Sequence, residues 1–134
     1  MTDTELTVGV QAEMTLAVAP EHLASRWGSG GVDVLATPQM IGWMEQVAVR
    51  AVDHLLPAGY SSVGIHVDVR HLAATLPGHS VTARATLEEI DGRRLVFRVI
   101  AEDDAGPIGE GTHERMIVDL QRFIGRAMAR TRVE

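Results

Sequence analysis

Three side chains in this sequence have the types and settings that acid–base or nucleophilic chemistry uses. Glu45 lies among apolar residues on one side of a helical stretch, His71 closes an alternating run, and Thr37 precedes a proline where that helix begins. A carboxylate held among apolar neighbours must be paired, hydrogen-bonded or neutralised, because an isolated buried charge is too costly to keep. Glu45 therefore suits a general base or nucleophile in a dry pocket. It equally suits a helix carboxylate that reaches past the stripe to water or an arginine. His71 is an acid/base or substrate partner, or else a satisfied core histidine. Thr37 has the chemistry of an N-cap, and the free N–H groups of a helix start suit a developing oxyanion.

Other clusters carry less. His66-x-Asp68 shares one strand face, but parity sends His71 to the other, so two ligands stand without a third and no metal site is expected. His113-Glu114-Arg115 falls on a strand, not in a helical zinc motif, and Gly-x-Ser-x-Gly is absent. Arg93-Arg94 is a local basic pair that suits phosphate, as does Arg115.

The element that must position Glu45 runs from Thr37 to Leu56 and is stopped by Pro57. Pro38 is pre-set for a first helical position. Met40, Met44, Val47, Ala48, Ala51 and Leu55 share one side, and Ile41, Val52 and Val49 widen it to roughly 200°. Gln39, Gln46, Arg50 and Asp53 form the polar strip. This pattern predicts a long helix largely enclosed by other structure. Thr37 and Glu45, eight positions apart, are separated by roughly 12 Å of rise and about 80° of rotation. They cannot touch. A site using both is elongated or is completed by a second subunit.

The rest of the chain is strands. Residues 8–18 alternate, with Val8, Val10, Ala12, Met14, Leu16 and Val18 on one face,. After Pro20 a short helical turn precedes Gly28-Ser29-Gly30-Gly31, a lid before the long helix or a slack connector. Val63, Ile65, Val67, Val69 and His71 are expected to face inward, and His66, Asp68 and Arg70 outward. Val81, Ala83, Ala85 and Leu87 define a third strand, and Asp91-Gly92 is a hairpin signal. Leu95, Phe97, Val99 and Ala101 line the return, and the last strand runs from about Ile108 to Leu120. The tail from Gln121 is helix-permissive and rich in arginine. One antiparallel sheet wrapped around a central helix fits this order, an α+β class. Such a sheet leaves edges free, so pairing with a second copy is expected.

Composition narrows the classes. The 134 residues are 46% hydrophobic and 22% charged, as expected of one globular domain spanning 1–134,. The absence of cysteine excludes disulfides and thiolate ligation,. A net charge of −6 argues against nucleic acid,. No apolar run approaches a membrane span, and without a signal-peptide pattern a cytoplasmic location is the expectation.

Three blocks resemble the fluoroacetyl-CoA thioesterase family, a branch of the hotdog-fold thioesterases. They are Leu35 to Glu45, Gly64 to Ala74 with Pro77-Gly78 following, and Gly109 to Arg115. The resemblance spans residues 8–125 with its spacing kept. It implies a hotdog fold, a homodimer with sites at the subunit interface, and hydrolysis of a small acyl-CoA thioester. By motif the catalytic Thr, Glu and His fall on Thr37, Glu45 and His71, and Gly64 lies where a backbone approaches the substrate. No cofactor is implied beyond the coenzyme A of the substrate itself. One departure is that the family's fluoroacetyl-specific member carries lid aromatics where this chain has Gly28-Ser29-Gly30-Gly31-Val32. That implies an acyl preference that is not strictly fluoroacetyl. The alternative is a non-catalytic hotdog module that binds acyl-CoA. A hydratase is not expected, because Asp68 and His71 point to opposite faces.

Overall fold

The computed structural model describes residues 5–132. The elements are β1 (Gln11–Ala17), a 3-10 turn (Pro20–His22), α1 (Ala24–Trp27), α2 (Thr37–Val52), a 3-10 turn (Asp53–Leu55), β2 (Tyr60–His71), β3 (Ser80–Asp91), β4 (Arg94–Asp103), β5 (Gly106–Asp119) and α3 (Leu120–Arg130). All five strands join one antiparallel sheet in the order β1-β3-β4-β5-β2. It curls around α2, which packs chiefly on β3 and β1. One strand, the long helix, then four strands is the order the sequence predicts.

The core follows the two periodicities. Val81, Ala83, Ala85 and Leu87 of β3 and Leu95, Phe97, Val99 and Ala101 of β4 are all buried. They meet Met40, Met44, Val47, Ala48 and Ala51 of α2. Each large side chain so buried contributes roughly 1.5–3 kcal/mol. Trp43 is also buried, its ring edge-on to His22 at 5.0 Å.

Four local expectations change. Gly9 (φ 104°) turns the chain before β1, so the strand starts at Gln11 and Val8 is exposed. Helix α2 tightens after Val52 into a 3-10 turn and does not continue regularly to Leu56. Thr37 is not the N-cap. Ala36 holds that place without a side-chain cap, and Thr37 is the first helical residue, so its hydroxyl is free for other use.

The fourth change is a β-bulge in β2 between Gly64 and His66. One extra residue shifts which side chains share a face. Before the bulge Ser62 and Gly64 turn toward α2; after it Val67, Val69 and His71 do, opposite His113, Gly111 and Gly109. Val63 and Ile65 therefore do not face inward as alternation alone implies, and Ile65 is 48% exposed. His71 does keep its expected inward face.

Candidate active site

Thr37 and His71 meet at the start of α2. Thr37 Oγ1 lies 2.7 Å from His71 Nδ1, which is where the hydroxyl not used for capping goes. His71 Nε2 is buried and has no hydrogen-bond partner among the described residues. Burial pushes the imidazole's pKa below its ordinary value, and the nearby Ala73 backbone opposes that in part. The ring is therefore neutral at neutral pH, with Nδ1 tied to Thr37 and Nε2 left without a hydrogen bond,.

This pair forms one wall of a cavity of about 390 Å³. Ser29, Gly30, Val32 and Val34 face it from the segment before α2. That segment is not a slack connector. It is closed at its base by a Leu23–Leu35 bridge, by Ala24 N–H donating to Val34 O at 2.8 Å, and by Ala36 N–H donating to His22 O at 2.9 Å. Ser25 Oγ donates to Asp33 at 2.6 Å across it. The glycine stretch is thus a lid on a fixed frame. Trp27, just before the glycines, is half-exposed and donates from Nε1 to Gln39 at 3.3 Å.

Glu45 does not line that cavity. Two turns further along α2, its Oε2 lies 3.5 Å from Arg115 Nη1 and 3.9 Å from His113 Nε2. The pairing expected of a carboxylate in the apolar arc is present, but its side chain is 42% exposed while that of Arg115 is 7% exposed. The buried charge here is the arginine. Burial pushes the Arg115 guanidinium's pKa down, and the charges of Glu45 and then Asp53 oppose that.

His113 and Arg115 share the inward face of β5. His113 Nδ1 lies 2.8 Å from the His66 carbonyl, which can only accept, so the proton sits on Nδ1,. Nε2 is then the acceptor for Arg115 Nη1 at 3.1 Å. This tautomer agrees with a His113 pKa pushed down, chiefly by burial. Gly64 lies across from Arg115 in the sheet. A Cβ there would stand 2.5 Å from Glu45 Oε2 and 3.2 Å from His113 Cε1, so a larger residue would displace the carboxylate from this position.

Sequence reasoning placed Thr37, Glu45, His71 and Gly64. It passed over His113, Ser62 and Asp53, and held Arg115 only as a phosphate-binding guess. The available signal was parity: His113 and Arg115 share one face of β5 with Gly109, Gly111 and Ile117, while Glu110, Thr112 and Glu114 take the other. Of the other arginine guesses, Arg94 is taken up by Glu114, Glu89 and Asp91. His66 and Asp68 stand on the outer face, His66 beside Glu114 at 3.8 Å.

A curled five-stranded sheet around one long helix, with polar groups gathered along that helix, defines the hotdog class to which many thioesterases belong. A family model described as fluoroacetyl-CoA-specific thioesterase matches residues 18–121, and the chain belongs to that family. The fluoroacetyl-CoA thioesterase of Streptantibioticus cattleyicolor is 43% identical over 99 residues, 74% of this chain and 71% of that protein. The solved fluoroacetyl-CoA thioesterase FlK superposes with a TM-score of 0.88 at 35% identity, covering 96% of this chain and 100% of that one. A hot-dog-like protein from Thermanaerovibrio acidaminovorans superposes equally well, TM-score 0.88, at 30% identity over 95% of this chain and 94% of its own.

Proposed function

We propose that this protein hydrolyses small acyl-CoA thioesters to the free acid and coenzyme A, with Thr37, Glu45 and His71 as catalytic residues. The observation that carries the reading is the Thr37–His71 hydrogen bond on a cavity wall, with His71 Nε2 unpartnered. Glu45 supplies the carboxylate that opens the thioester, as nucleophile or as base for water. A C–O bond forms at the thioester carbon, either to water directly or to Glu45 as a mixed anhydride that water then cleaves; the C–S bond breaks, and the leaving thiolate takes a proton. His71 polarises the acyl end or moves that proton, and Thr37 holds the ring in place. Gly64 lets the substrate approach the backbone beside Glu45. No cofactor is required beyond the coenzyme A of the substrate, and a cytoplasmic location is part of the reading.

The active unit in this proposal is a homodimer. Thr37 and Glu45 stand about 12 Å apart along one helix, so one chain does not bring the three residues together. Strand β2 is a sheet edge of 12 residues with Ile65 and Val67 exposed, and such an edge is a template for pairing. Antiparallel pairing with a two-fold axis midway between Gly64 and His71 would bring Gly64, and Glu45 beneath it, opposite the partner subunit's His71. Each site would then use Glu45 from one chain and Thr37 with His71 from the other.

The acyl preference is not strictly fluoroacetyl. The lid offers Ser29, Gly30 and Val32 to the cavity, none of them aromatic. The test is free-thiol release over acetyl-, fluoroacetyl-, malonyl-, medium-chain and phenylacetyl-CoA, beside Glu45→Ala. The expected result is turnover of several esters, comparable for acetyl and fluoroacetyl, and none in the variant. Binding of CoA esters without hydrolysis would instead make the protein a ligand-binding module.

A further inference from the structure

We propose that Asp53 is a positioning residue for this site: acting through Ser62, it serves as the standing counter-charge of Arg115 and leaves Glu45 free to react. The inference rests on the thioesterase reading for its kinetic consequence and on geometry alone for its structural one.

Asp53 follows α2 directly, at the end where the helix dipole disfavours a carboxylate,. It gains its hydrogen bonds from β2. Asp53 Oδ2 accepts from Ser61 Oγ at 2.7 Å and from the Ser62 N–H at 3.3 Å, and Oδ1 accepts from Ser62 Oγ at 2.6 Å. Ser62 is 5% exposed. Its hydroxyl has one proton, given to the carboxylate, so its oxygen must accept from Arg115 Nε at 2.8 Å,. The chain has one direction: Arg115 donates to Ser62, and Ser62 donates to Asp53.

Arg115 makes its short bonds to the framework. Besides Nε, Nη2 donates to the Ser62 carbonyl at 2.9 Å and Nη1 to His113 at 3.1 Å. The contact to Glu45, at 3.5 Å, is the longest of the set and sits at the outer limit of a hydrogen bond. A buried guanidinium needs a compensating charge. A carboxylate held in a short two-point arginine pair has its lone pairs engaged and is a poorer nucleophile or base. With Asp53 and Ser62 fixing the guanidinium, Glu45 feels its charge without being clamped by it. Glu45 is already the carboxylate nearest to Arg115; with the Asp53 charge removed, compensation of the guanidinium falls to Glu45, and the pair tightens.

The experiment compares Asp53→Asn and Ser62→Ala, each in the native and in an Arg115→Lys background. Asparagine fits the site but turns an amide N–H toward Ser61 and the Ser62 N–H; alanine at 62 breaks the same chain while keeping Asp53. In the native background each change is expected to lower kcat about tenfold or more, with KM within about twofold. In the Arg115→Lys background, Asp53→Asn is expected to add less than about twofold. Unchanged kcat, or the same loss in both backgrounds, would overturn the proposal, since a purely structural role is additive. A second readout is solvent exchange of the Arg115 Nε–H in 15N NMR spectra. It should be slow in the native protein and faster in both variants, and exchange left unchanged by either variant overturns the relay. Absence of thioester turnover in the native protein would fail the thioesterase reading, and the exchange measurement would still decide the relay.

Discussion

Thr37 Oγ1 sits 2.7 Å from His71 Nδ1, joining the first turn of α2 to the last residue of β2. The bond holds an imidazole that lines the cavity, and its second nitrogen is buried without a partner among the described residues. The helix begins without a side-chain cap because Ala36, at the N-cap, has no side-chain oxygen, so Thr37 at the first helical position is free to make this bond.

Thr37→Val keeps the shape and removes that bond. One hydrogen bond is worth about 1 kcal/mol of stability, so thermal unfolding should shift by only a few degrees. Turnover should fall about a hundredfold, because the ring loses its orientation. A variant with native kcat in the thiol-release assay would take Thr37 out of the mechanism.

Gly64→Ala should separate stability from activity. The new Cβ meets the far end of Glu45, a flexible carboxylate that moves aside cheaply, and His113 Cε1, which is buried and yields less. The expected stability loss by chemical denaturation is about 1 kcal/mol. Displacing the carboxylate proposed to react by about 1 Å should cost about a hundredfold in kcat. Native turnover would mean that the backbone at 64 and the carboxylate of Glu45 do not share a site.

Stability should fall on mild acidification. Burial is the first cause holding His71 and His113 below the ordinary imidazole value, near 6.5 in the unfolded chain. Between those values the unfolded state binds more protons, so unfolding is favoured as pH drops. Their contribution is fully present above about pH 6.5 and is lost as pH falls through the lowered folded-state range. Denaturation midpoints from pH 8 to pH 5 test this, and His113→Gln should flatten the slope. An equally steep slope in that variant would assign the effect to other groups.

Val32→Phe tests the lid. Val32 lines the cavity and is 59% exposed, so a larger side chain is accommodated without repacking the core. Medium-chain and phenylacetyl-CoA should lose about tenfold or more in kcat/KM while acetyl-CoA changes little. A uniform loss over all esters would show that the lid acts on access and not on acyl size.

Much of the scaffold was legible in the sequence, because facing is a local property. A residue's side of a strand or helix follows from a period of 2 or 3.6, so Val81 to Leu87, Leu95 to Ala101 and the Met40–Ala51 stripe were assigned to the core correctly. The same periodicity marked Glu45 as out of place and set His71 inward. Tertiary structure decided what depends on register between distant strands. The bulge at Gly64/His66 turned Val63 and Ile65 away from the helix, and strand pairing brought Arg115 to Glu45 across 70 positions and His71 to Thr37 across 34. Asp53 was read only as part of a polar strip; its link to Arg115 exists because β2 returns past the end of α2 with Ser62 turned inward. Period fixes where a side chain points, whereas the partner it finds is set by a sheet register and by one extra residue that no local pattern records.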